Sequence, residues 1–61
     1  MLVEAHLLYV RNSQGLCRYE EVEVTGQPRL VGVLYLSKAR LGAKPPKGIR
    51  VLVEAVQEEG S

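Results

Sequence analysis

Few residues in this chain carry reactive side chains, and their spacing excludes most catalysis. His6 is the only histidine, Cys17 is the only cysteine, and there is no aspartate. A thiolate–imidazole pair would need both side chains within hydrogen-bond reach. Both lie on segments that read as strands, and the bulged-hairpin register described below puts them on opposite faces. A lone cysteine also excludes an intrachain disulfide and a cysteine-rich zinc site. The reading is a chain that is not an enzyme, with no catalytic residue, metal site or cofactor. Cys17 is expected to be a buried or partly buried structural thiol, and His6 an ordinary strand position.

Glu20, Glu21 and Glu23 form a second cluster. Strand alternation sets Glu21 and Glu23 on one face, where their oxygens suit a hard cation. No glycine-bearing calcium loop accompanies them. The expected role is a charged strand face that discourages edge-to-edge aggregation.

The basic residues are the strongest candidates. No acidic residue lies between Glu23 and Glu54, an interval holding Arg29, Lys38, Arg40, Lys44, Lys47 and Arg50. All but Arg29 fall between Ser37 and Arg50, where Pro45-Pro46 restrain the backbone. Gly42 to Gly48 lacks the spacing of a P-loop, and its prolines lack the N–H groups that such a loop uses. Flexible cations on a stiffened loop suit phosphate contacts, which set affinity without reading sequence. The candidate nucleic-acid-binding residues are Lys38, Arg40, Lys44, Lys47 and Arg50. Tyr35 stands at the root of this segment. It suits stacking on a base, or a core position with its hydroxyl at the rim.

The elements that position these residues are short and β-like. From Leu2 to Arg11, Val3, Ala5, Leu7 and Tyr9 alternate with Glu4, His6 and Leu8, which predicts a strand. Asn12-Ser13-Gln14-Gly15 suits a type I turn closed by a G1 bulge. That register sets Asn12 opposite Leu16, Tyr9 opposite Tyr19, His6 opposite Val22 and Glu4 opposite Val24. It also sets Leu7 opposite Glu21 and Ala5 opposite Glu23. A four-residue loop would slip the pairing and set Leu7 opposite Val22. Turn chemistry and hydrophobic pattern disagree, and both registers stay open.

The second strand is expected from Leu16 to about Thr25, before the break at Gly26-Gln27-Pro28. The third runs from Arg29 or Leu30 to Leu36. Leu30, Gly32, Leu34 and Leu36 point one way and Val31, Val33 and Tyr35 the other, so both faces call for cover. Gly32 marks a bulge or a close backbone approach. Ser37 reads as an N-cap and Gly42 as a stop, with one helical turn between them. The fourth strand runs from Ile49 to about Val56. Its partner is strand one or strand three.

Residues 32–54 resemble the swapped-hairpin DNA-binding domains of bacterial transition-state regulators and antitoxins. The match runs through a strand at Gly32-Val33-Leu34-Tyr35-Leu36, then Ser37-Lys38-Ala39-Arg40, the Leu41-Gly42 step, Pro45-Pro46, and a second strand from Ile49 to Glu54. The turn here is shorter than in that family, and Ser37 stands where a proline is usual. The resemblance implies an intertwined dimer that binds DNA, with Lys38 and Arg40 near the phosphates.

The 61 residues bound the rest. They suffice for one β-rich domain, residues 1–56, with a polar tail at 57–61. There is no Phe or Trp, so Leu and Val fill a core short of large rings. No apolar run approaches the ~20 residues of a membrane span. Met1 to His6 lacks the basic region of a secretory signal, so a cytoplasmic location is expected. The fold class expected is mostly β: a four-stranded, mainly antiparallel sheet with one short helical turn. No long helix is available to cover the apolar faces, so a homodimer or larger homo-oligomer is expected to bury one of them. The functional reading is a nucleic-acid-binding module with a basic loop. The alternative is a protein-interaction or assembly module.

Overall fold

The computed structural model describes residues 1–57. The polar tail expected at 57–61 lies outside the described residues, apart from Gln57. The chain is mostly strand: β1 (Leu2–Ser13), β2 (Leu16–Glu21), β3 (Val33–Ser37), the single helical turn α1 (Lys38–Leu41) and β4 (Gly48–Glu54). The four strands form one antiparallel sheet in the order β3-β2-β1-β4. Strands β1 to β3 make the expected meander. Strand β4 pairs with β1, so β3 and β4 form the two opposite edges.

The hairpin turn differs from the expectation. Gln14 (φ 52°) and Gly15 (φ 79°) form a two-residue loop, and Ser13, not Asn12, faces Leu16. Two consecutive positive φ values match the right-handed twist of the flanking strands, as in a type I′ turn. The register then shifts between Tyr9 and Arg11, leaving Val10 as an extra residue in β1. This bulge restores Tyr9 opposite Tyr19 and Leu7 opposite Glu21. The slipped alternative, with Leu7 opposite Val22, does not occur.

The core lies on one face of the sheet. Leu7, Cys17 and Tyr19 are fully buried, and Ala5 nearly so. Tyr9, Leu34, Leu36, Ile49 and Val51 pack around them from the same face. Tyr9 and Tyr19 meet edge to face, their ring centroids 5.7 Å apart. Both Tyr9 Oη–H (2.7 Å) and Cys17 Sγ–H (3.3 Å) donate to Asn12 Oδ1. The cover comes from the connections: Val31 from the β2–β3 loop and Leu41 from α1 pack on the cluster. Irregular segments thus cover the core face of the sheet.

Strand β2 ends at Glu21, not near Thr25, and β3 begins at Val33, not at Arg29 or Leu30. Glu21 causes both differences. Its carboxylate accepts the backbone N–H groups of Leu30 (3.0 Å), Val31 (2.7 Å) and Gly32 (2.9 Å). The Glu21 N–H in turn donates to the Gly32 carbonyl at 2.8 Å. A side chain thereby takes over hydrogen bonds that a longer ladder would have made. At Gly32 the positive φ of 82° breaks strand alternation, so Val31 joins the core side. Strand β3 is accordingly not covered on both faces: Leu34 and Leu36 are half-buried, while Val33 and Tyr35 are exposed.

The helical turn falls where Ser37 and Gly42 predict it. Gly42 adopts φ 95° and donates its N–H to the Lys38 carbonyl at 2.9 Å. The Ser37 side chain makes no capping bond. Ser37 still pairs with Leu16 at the end of β3, and the Lys38 N–H donates to Gly15 O at 3.0 Å. Strand β4 ends at Glu54, two residues before the expected Val56.

Candidate nucleic-acid interface

The basic segment forms the crossover from one sheet edge to the other. Lys38 and Arg40 lie on α1, directly after edge strand β3. Lys44 and Lys47 flank Pro45-Pro46 in the connection to β4. This connection is tied down from below. The buried Tyr19 hydroxyl donates to the Pro46 carbonyl at 2.8 Å, and the Tyr9 N–H donates to the Lys47 carbonyl at 2.8 Å. Burial pushes the Tyr19 phenol above its ordinary pKa. The phenol therefore stays protonated and keeps donating.

The charge pattern sorts the cations. Arg18 pairs with Glu20 at 3.0 Å, Arg29 with Glu23 at 3.6 Å, and Arg50 with Glu4 at 3.8 Å. Among the described residues, Lys38, Arg40, Lys44 and Lys47 carry no ion pair within 4.0 Å. All four are exposed. They follow one another along one crossover, whereas Arg11, which also makes no ion pair among the described residues, stands alone on β1. Arg50 stands apart from them, on edge strand β4 and on the open face of the sheet, beside Glu4 and opposite His6.

Tyr35 also faces the open side, about half exposed and not in the core. Arg18 Nη1 donates to its hydroxyl at 2.7 Å, and the guanidinium carbon lies 5.7 Å from the ring centroid. The hydrogen bond to Glu20 is the main cause that raises the Arg18 pKa. A shallow depression between the hairpin turn and α1 is lined by Gly15, Lys38, Ala39, Gly42 and Ala43.

The acidic residues do not stand together on one strand face. Glu23 lies beyond the end of β2, so it does not share a strand face with Glu21. The Glu21 oxygens are occupied by backbone donors. Those donors hold the Glu21 pKa below its ordinary value, with the Gly32 N–H contributing most. Among the described residues, no three His, Cys, Asp or Glu side chains gather as metal ligands. Cys17 is buried on the core side, and His6 is exposed on the open side, 3.5 Å from Glu4. No described helix is long and apolar enough to cross a membrane.

Sequence reasoning missed the Tyr19 tether and the Glu21 clasp. Their only sequence signals were a tyrosine and a glutamate at core-facing positions of β2, which demand polar partners. No protein-family model, curated protein or solved structure matches this chain.

Proposed function

We propose that this chain is a small nucleic-acid-binding module that grips phosphates with Lys38, Arg40, Lys44 and Lys47. One observation carries the reading. Among the described residues these four cations lie exposed and make no ion pair on one tethered crossover, whereas Arg18, Arg29 and Arg50 are each paired with a glutamate and the unpaired Arg11 stands alone on β1. Cations left unneutralised on a fixed backbone attract a polyanion with little loss of loop entropy. The likeness of residues 32–54 to the swapped-hairpin DNA-binding domains supports the same reading. Tyr35, about half exposed on the open face, supplies a ring for stacking on an unpaired base.

The test is fluorescence anisotropy with labelled single-stranded and duplex DNA and with RNA, at several salt concentrations. Four phosphate contacts on duplex predict a log–log salt slope of roughly −3 to −4. Changing Lys38, Arg40, Lys44 and Lys47 together to Ala is expected to abolish binding. Salt-independent binding, or none at low salt, overturns the proposal.

A second reading is an assembly module, with self-association or a protein partner in place of nucleic acid. Its support is the open face, where Leu2, Leu8 and Leu52 are each more than half exposed. That reading expects the quadruple Ala variant to keep its partner.

A further inference from the structure

We infer that β4 is a homodimer edge, on which two copies join antiparallel about a two-fold axis through Leu52 to make one eight-stranded sheet. The argument begins with the hydrogen bonds already used. The Lys47 carbonyl and the Ala55 N–H both bond to β1, to Tyr9 N (2.8 Å) and Met1 O (3.3 Å). In an antiparallel ladder, alternate residues direct both backbone groups to the same neighbour. Ile49, Val51 and Val53 therefore bond toward β1. Arg50, Leu52 and Glu54 direct their N–H and C=O groups outward, away from the sheet. The strand has no proline and no bulge to blunt this edge. The other edge is more closed: β3 has five residues, and its Val33 N–H donates to the Val31 carbonyl at 3.2 Å.

The side chains select a second copy of β4 as the occupant. Arg50 and Glu54 carry opposite charges and lie symmetrically on either side of Leu52. Antiparallel pairing about Leu52 puts Leu52 against its own copy. It puts Arg50 against the partner's Glu54, and Glu54 against the partner's Arg50. On the core side it puts Val51 against the partner's Val53, which extends the apolar face across the junction. Centring instead on Arg50 or on Glu54 sets like charges face to face. Centring on Val51 sets Arg50 against the partner's Leu52 and leaves no charge pair. Only the Leu52 register matches charge on one face and apolar side chains on both. The interface is isologous, and it uses none of the four crossover cations.

Light scattering and sedimentation of the full chain, at about 1 to 100 µM, test this inference. The wild type is expected to be a dimer at the upper concentrations. L52P removes only an outward N–H, so the β1–β4 pairing survives while the edge is blocked. L52P is expected to be a monomer with an unchanged β circular dichroism spectrum. R50E and E54R alone are each expected to weaken the dimer by roughly tenfold or more, because each change acts at two symmetric pairs. R50E/E54R together are expected to restore it. If L52P loses its β spectrum, the charge swap decides. A monomeric wild type, a dimeric folded L52P, or a double variant no tighter than the single ones overturns the inference. The quadruple Ala variant of the crossover is expected to stay dimeric, so failure of nucleic-acid binding and failure of the dimer edge are told apart.

Discussion

Glu21 and Gly32 hold each other twice: the Glu21 N–H donates to Gly32 O at 2.8 Å, and the Gly32 N–H donates to Glu21 Oε1 at 2.9 Å. This clasp ends β2, starts β3 and seats Val31 on the core. It needs an ionised carboxylate, because only that form offers acceptors alone. The Glu21 pKa is lowered in the fold, so its stabilisation is complete above the unfolded value of about 4.3. That stabilisation is lost as pH falls through the lower folded value. E21Q is expected to be less stable than wild type at pH 7, and the gap is expected to close in acid. Urea unfolding at pH 7 and pH 3 checks both statements, and a gap independent of pH refutes the account.

The Tyr19–Pro46 bond predicts the behaviour of Y19F. The phenyl ring keeps the core filled, but the part-buried Pro46 carbonyl loses its donor. The expected loss is about 1 to 2 kcal/mol in urea unfolding. The raised Tyr19 pKa adds a signature in base. Wild type is expected to lose stability as pH rises above the unfolded tyrosine value of about 10. Y19F lacks that contribution, so its deficit is expected to shrink at high pH.

Gln14 holds φ 52° in the two-residue hairpin loop, a conformation that costs an ordinary side chain about 1 kcal/mol. Asn tolerates it better, and Asn-Gly is the preferred pair for this turn. Q14N is expected to raise stability by about 0.5 to 1 kcal/mol without changing the circular dichroism spectrum. A lower melting temperature for Q14N argues against the turn assignment.

Cys17 is fully buried on the core side of β2. A thiol reagent is expected to leave it unmodified in the native chain and to modify it in urea. Rapid native labelling, at the rate of an exposed thiol, contradicts the packing.

Local periodicity and turn chemistry by themselves determined much of this protein. They placed four strand segments, the meander, the helical turn before Gly42 and the burial of Cys17. Such features depend on residues close together in the chain, whose spacing is legible. The candidate cations were legible as a group, because an acid-free interval is a property of order alone. Their sorting was not. Arg50 leaves the group only because Glu4 lies beside it across the β1–β4 pair, and either strand one or strand three suited β4 by pattern. The bulge at Val10, the Glu21–Gly32 clasp and the Tyr19 tether were likewise decided by tertiary structure. Each joins groups on different segments, and each arises where a buried or half-buried polar atom needs a partner that sequence spacing does not name.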